Sequence, residues 1–231
     1  NEKYNFTNDN TYILRPVDSF AGRDILYISN KEELDKAIEY YKTTKNYKGI
    51  LYKNNVIASE YIMNPLLFKG LKFHLRMYYL VSYISEQFHS FFLEEGDILT
   101  AEKPYTKIRP FEKSVHDTHQ TSSDNDYFFP VDLLNDNLLT KTQHKQIIKQ
   151  MREIMAAVSS ILLKNKETSK LEWLYPEHKN GFVVLGIDFM IDDKYNVIID
   201  IGAIFININF IELIKKLFNK MNKKVIKIKC E

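Results

Sequence analysis

The stretch VIASEYIMNPLLFKGLKFHLRMYYLV, running from Val56 to Val81, decides how the rest of the chain is read. It opens as an apolar strand, turns at Asn64-Pro65 and again at Lys69-Gly70, and re-enters a strand that alternates basic and apolar residues, Lys72-Phe73-His74-Leu75-Arg76. Successive side chains of a strand point to opposite faces, so Lys72, His74 and Arg76 share one face while Phe73, Leu75 and Met77 share the other. Three nitrogenous side chains on one face predict an anion site.

Composition sets the frame around this stretch. At 231 residues and 45% hydrophobic, the chain can bury a sizeable core as one large domain or two tightly joined subdomains. No apolar run approaches the roughly 20 residues of a membrane-spanning helix, and the N-terminus carries no basic-then-apolar signal segment. Cys230 is the single cysteine, so neither an internal disulfide nor a cysteine-rich metal site is expected. The charge is balanced, 32 basic against 30 acidic residues, which gives no footing for nucleic acid. The basic end from Lys215 to Lys229 reads as a solvated helix face and tail.

The opening stretch resembles the hinge and following strand of the tubulin-tyrosine-ligase-like branch of the ATP-grasp superfamily. That family runs from a Lys-Tyr-Ile hinge through Asn-Pro-Leu-Leu and a Gly to Lys-Phe-Asp-Ile-Arg. Here the same places hold Glu60-Tyr61-Ile62, Asn64-Pro65-Leu66-Leu67, Gly70 and Lys72-Phe73-His74-Leu75-Arg76. The resemblance continues from Tyr12 to Gly202 and implies an α+β fold of the ATP-grasp type, two subdomains with antiparallel sheets enclosing a nucleotide cleft. A small subdomain is expected over about 10–70 and a large one over about 71–231, without the N-terminal domain that precedes this module in relatives.

Taken in order, Tyr12-Ile13-Leu14-Arg15-Pro16 is a short strand, followed by a loop containing Gly22, Arg23 and Asp24. The family carries a strand ending in Lys-Pro and a Gly-x-Gly turn here; a glycine turn lets backbone N–H groups approach phosphate. Arg15 stands for the lysine, Gly22 is retained, and Asp24 replaces the second glycine, placing a negative charge beside the expected phosphates. Asn30 and Glu33 form a capping box for a helix whose Leu34, Ala37, Ile38 and Tyr41 make one buried stripe. Gly49 to Leu51 and Val56 to Ile62 are expected strands. Further on, Phe73 to Ser82 and Gln87 to Leu93 pair antiparallel, with a turn at Glu94-Glu95-Gly96-Asp97. Leu99 stands where the family has an arginine, and His116-Asp117-Thr118-His119 resembles its His-Leu-Thr-Asn motif. His116 and His119 lack a third ligand at zinc-site spacing. The longest helix spans Gln143 to Lys164, and another is expected over Phe210 to Met221.

Gly181 to Ile191 and Val197 to Ile201 read as a hairpin around Asp192-Asp193-Lys194-Tyr195-Asn196. With Ile191 facing Val197, counting back sets Asp188 opposite Asp200. Carboxylates about 5 Å apart need a proton, a cation such as Mg²⁺, or a neighbouring Lys or Arg. By resemblance, Asp188 and Asp200 would hold Mg²⁺, with Asp200 in place of a glutamate and Gly202 in place of an asparagine.

The resemblance therefore implies an ATP-dependent carboxylate–amine ligase that adds an amino acid to a protein such as tubulin, in a cytoplasmic or cytoskeletal setting. Lys72 and Arg76 would act on the acyl phosphate or acceptor carboxylate; Arg15, Gly22, Glu60, Tyr61, Ile62, Lys72 and Asp188 would bind ATP. The departures at Arg15, Asp24, His74, Leu99, Asp200 and Gly202 surround one reaction centre. They leave two readings open: a ligase with a divergent site, or a ligase-derived binding or structural protein in a larger assembly.

Overall fold

The computed structural model describes residues 11–16, 22–46, 48–52, 56–84, 87–118, 128–164, 180–205 and 226–227. Among them, β1 (Tyr12–Pro16), β2 (Leu26–Ile28) and β3 (Val56–Glu60) form an antiparallel sheet with β1 in the middle. Helix α1 (Lys31–Thr43) follows β2, and its first turn is closed by side chains. Asn30 Oδ1 accepts from the Glu33 N–H at 2.8 Å, while the Glu33 carboxylate accepts from the Ser29 N–H at 2.7 Å. The reciprocal bond of the capping box thus lands one residue before the cap.

Ala37 and Tyr41 of α1 are buried with Leu14, Ile28 and Tyr52, and Leu34 packs against them. Ile38, expected in the same stripe, is instead 42% exposed. Gly49 to Leu51, expected as a strand, contributes only an isolated bridge between Lys45 and Leu51.

The larger sheet is built on β5 (Leu71–Ile84), which pairs with β6 (Gln87–Thr100) on one side and β7 (Asn180–Ile191) on the other. β8 (Val197–Phe205) extends it beyond β7, and β9 (Ile226–Lys227) beyond β6; β4 (Leu67–Phe68) pairs with the start of β5. Within the stretch from Lys215 to Lys229, expected to be a solvated helix face and tail, Ile226 and Lys227 form strand; the helix expected over Phe210 to Met221 lies outside the described residues.

Two short helices, α2 (Lys113–His116) and α3 (Asp132–Asn135), precede the long α4 (Lys141–Lys164). Phe73, Leu75, Met77, Tyr79 and Val81 from one face of β5 are buried with Ile147, Met151 and Met155 of α4. A strand of period two and a helix of period 3.6 each turn one apolar face inward, and here the two faces meet.

No turn forms at Glu94-Glu95-Gly96-Asp97: β6 runs straight through. Met77 pairs with Gly96 and Tyr78 with Leu93, so Glu94 and Glu95 are extra residues in a bulge. Gly96 is required there, since a Cβ would lie 2.2 Å from the Arg76 carbonyl oxygen. The mixed helix and antiparallel-sheet composition agrees with the α+β class; no helix among the described residues is long and apolar enough to cross a membrane.

Candidate functional site: a cationic strand against an acidic hairpin

Because Phe73, Leu75 and Met77 are committed to the core, Lys72, His74 and Arg76 emerge together on the opposite face of β5. Each finds a different partner. The Arg76 guanidinium donates through Nε to Asp188 Oδ1 at 2.8 Å and through Nη2 to Oδ2 at 2.9 Å. Register sets this pair, since Arg76 lies directly opposite Asp188 across β5 and β7. Burial alone would lower the Arg76 pKa, but the hydrogen bonds and charge of Asp188 outweigh it and the net shift is upward. His74 Nε2 lies 3.6 Å from Asp188 Oδ1, and its Nδ1 is 2.6 Å from Thr118 Oγ1.

Lys72 is almost fully buried. Its ammonium donates to the Tyr61 hydroxyl and to the His116 carbonyl oxygen, both at 3.1 Å, and lies 4.5 Å from the centre of the Tyr61 ring. Tyr61 and His116 Nδ1 are hydrogen-bonded at 2.7 Å. Around this trio stand Tyr27, Tyr105 and Phe111, with the Phe111 and His116 rings 4.3 Å apart. Burial, and secondarily the Lys72 charge, pull the His116 pKa from 6.5 to about 4, so the imidazole is neutral near pH 7. Its Nε2 is buried without a hydrogen-bond partner among the described residues.

The small sheet supplies the other wall. Ile13, Arg15, Tyr27 and Tyr61 lie on the face away from α1, and Tyr27 and Tyr61 touch the aromatic cluster around His116. Arg15 is half-buried on β1, opposite Ile57; Glu60 is exposed at the end of β3, and Ile62 is half-buried. Gly22 begins the β1–β2 turn with φ +66°, in the left-handed region that favours glycine.

Asp24, expected to set its charge beside phosphate, faces the other way. Its carboxylate accepts from Tyr40 at 2.9 Å and Tyr52 at 2.6 Å, and its carbonyl oxygen accepts from Tyr41 at 2.7 Å. Three tyrosines on the α1 side hold it at φ +55°.

On the hairpin, Ile191 pairs with Val197 and Asp188 with Asp200, the register obtained by counting back from the loop. A row of facing positions crosses four strands: Asp97 on β6, Arg76 on β5, Asp188 on β7 and Asp200 on β8. Asp97 accepts from the Tyr78 hydroxyl at 2.6 Å. Leu99, where the family has an arginine, sits opposite His74.

A family model described as the Tubulin-tyrosine ligase family matches residues 1–210 of the chain. The chain belongs to the tubulin-tyrosine ligase family.

For this tubulin-tyrosine ligase family member the structure brings Lys72, Tyr61, Arg76 and Asp188 into two adjoining hydrogen-bonded groups, with His74 next to the second. Glu60 takes no part in either group, and the Asp200 side chain lies outside the described residues. From the letters alone Tyr27, Tyr105 and Asp117 carry no role, and His116 and Thr118 stand in the family motif, His116 also in a His-x-x-His pair that lacks a third zinc ligand. Nothing in the local periodicity singles out His116 and Thr118, since His116 ends α2 and Thr118 lies in the turn after it.

A nucleotide fits the residues present. The buried Lys72 ammonium offers positive charge, and the orphaned Nε2 of His116 offers a polar atom that a ligand can satisfy. Magnesium does not fit Asp188 as it is paired here. Both carboxylate oxygens are engaged by Arg76, and a dication would have to sit against that guanidinium.

Proposed function

We propose that this protein is an ATP-grasp member of the tubulin-tyrosine ligase family, in which subdomains of about 10–70 and 71–231 enclose a nucleotide cleft. Its reaction would be ATP-dependent carboxylate–amine ligation on a protein substrate such as tubulin. A carboxylate oxygen takes the γ-phosphoryl group of ATP, releasing ADP; an amine nitrogen then attacks the acyl carbon, phosphate leaves, and the amide nitrogen loses its proton.

The observation that carries this reading is the meeting of Arg76 on β5 with the Asp188 carboxylate on β7, with His74 beside them and Lys72 on the same strand face, opposite the core. Phosphoryl transfer depends chiefly on positioning and charge stabilisation, so cations held on a rigid central strand are what the reaction asks of a protein. We assign Arg15, Gly22, Glu60, Tyr61, Ile62, Lys72 and Asp188 to the nucleotide, and Lys72 and Arg76 to the acyl phosphate or acceptor carboxylate. The Mg²⁺ role of Asp188 and Asp200 is left out of this assignment, because Arg76 engages both Asp188 carboxylate oxygens.

That same pair, with Leu99 and Gly202 at family ligand positions, favours a second reading: a protein that binds nucleotide or an assembly partner without turnover. Isothermal titration with ATP and Mg²⁺ tests both. The ligase reading expects heat, a rise in melting temperature at millimolar nucleotide, and ADP release when amino acids and tubulin are added. Binding without ADP release supports the second reading; no heat and no thermal shift would remove turnover by the unmodified chain.

A further inference from the structure

The Gly22 turn already carries an anion supplied by the chain itself. An ideal Cβ on Gly22 would lie 2.6 Å from Asp117 Oδ2, 2.9 Å from Oδ1 and 2.9 Å from Cγ, so the carboxylate rests directly on the glycine. The missing Cβ of glycine is what allows an oxyanion to come so close to the backbone, and the φ of +66° independently favours glycine there.

The local backbone explains how Asp117 arrives there. Its N–H closes α2 on the Lys113 carbonyl oxygen at 2.8 Å, and the residue itself is extended, with φ −88° and ψ 114°. Asp117 is where the chain leaves the helix: before it the His116 carbonyl oxygen and imidazole meet Lys72 and Tyr61, after it Thr118 meets His74, and Asp117 between them turns toward β1 and β2. Residues 116–118 thus form a wedge between the cationic strand and the glycine turn. Asp117 is 8% exposed, with Lys113 Nζ 3.5 Å from its Oδ2. Its charge reaches the arginine side of the cleft: after burial, Asp117 raises the Tyr27 pKa while Arg15 lowers it. Asp24, the other acid of the turn, is held away by Tyr40 and Tyr52 and does not share this place.

We propose that the Asp117 carboxylate occupies the anion seat of the Gly22 turn as an internal competitor of phosphate, and so sets the affinity of this protein for nucleotides. Like charges brought into one partly buried place repel, so a polyphosphate enters only by displacing or outcompeting the carboxylate. The proposal rests on the assignment of the Gly22 turn to the nucleotide made above.

The test compares the unmodified chain with Asp117→Asn, which keeps the shape and removes the charge, and with Asp117→Ser as a smaller second variant. Isothermal titration uses three probes: ATP with Mg²⁺, inorganic tripolyphosphate, and adenosine, which carries no charge. Folded variants are expected to bind both phosphate probes roughly tenfold more tightly or better, with adenosine unchanged. Tighter binding by a variant where the unmodified chain binds nothing also supports the competitor role. If the unmodified chain binds ATP and the folded variants bind it no more tightly, the competitor role of Asp117 is overturned and the nucleotide assignment stands. Adenosine tightening as much as ATP overturns the role as well, since space rather than charge is then responsible. Failure of every form to bind any phosphate probe overturns both.

Discussion

Arg76 and Asp188 meet through two parallel N–H···O bonds, with 19% of the first side chain and 7% of the second exposed to solvent. Removing one partner of such a pair leaves the other charged and poorly solvated, which typically costs about 3–5 kcal/mol. Arg76→Met is therefore expected to lower stability by about 3 kcal/mol in urea unfolding, and Arg76→Met with Asp188→Asn to recover most of the loss; an additive double variant would contradict the pairing. At His116 the pH dependence has a definite sign. The folded pKa, about 4, lies below the ordinary 6.5, so between those values the unfolded chain binds more protons than the folded one. Stability from this group is fully present above pH 6.5 and is lost as pH falls toward 4. Burial shifts His144 downward in the same sense. Melting temperature should fall by several degrees between pH 7 and pH 4.5, and His116→Phe should flatten part of that fall.

The β5–β6 hairpin shows how an element absorbs a local irregularity. Glu94-Glu95-Gly96-Asp97 has the composition of a turn, yet pairing continues on both sides of it and the two glutamates are accommodated as a bulge. The long register, from Phe73 opposite Thr100 to Ile84 opposite Gln87, outweighs the local preference. Gly96→Ala would set a methyl against the Arg76 carbonyl oxygen and the Met77 sulfur. A loss on the order of 2–3 kcal/mol is expected, since the backbone of both strands must shift; a change within 0.5 kcal/mol would mean the bulge is freely deformable. Helix α1 depends on its cap in the ordinary way. Asn30→Ala should cost about 1 kcal/mol, measured by thermal unfolding.

Across the whole molecule, the segment from Ala101 to Phe111 fastens the small sheet to β5. Tyr105 donates its N–H to the Gly70 carbonyl oxygen at 2.9 Å and its hydroxyl to Met63 at 2.8 Å. Arg109 donates to Ser29 and, at 2.5 Å, to Thr11 Oγ1; it lies 3.5 Å from Glu33 and over the Phe111 ring. These contacts are polar and partly exposed, unlike the core behind β5. Arg109→Ala is expected to raise amide hydrogen exchange through 22–46 while leaving the β5–β7 amides unchanged. Equal acceleration in both would show that the sheets open as one cooperative unit.

What could be read from the letters is local in physical origin. Side-chain alternation along Lys72 to Arg76 follows from the pleat, the facing of Asp188 and Asp200 follows from a short loop that sets register, and the cap at Asn30 follows from orphan N–H groups at a helix start. The choice of partners depended on chain segments far apart in sequence. Asp188 is 112 residues from Arg76, so no local rule decides that the guanidinium takes that carboxylate. Likewise Asp24 turns to Tyr40 and Tyr52, and Asp117 to Gly22, only because the helix, the turn and the wedge are packed together. Backbone periodicity determined which faces exist; tertiary packing decided which charges meet across them, because electrostatic pairing acts through space and not along the chain.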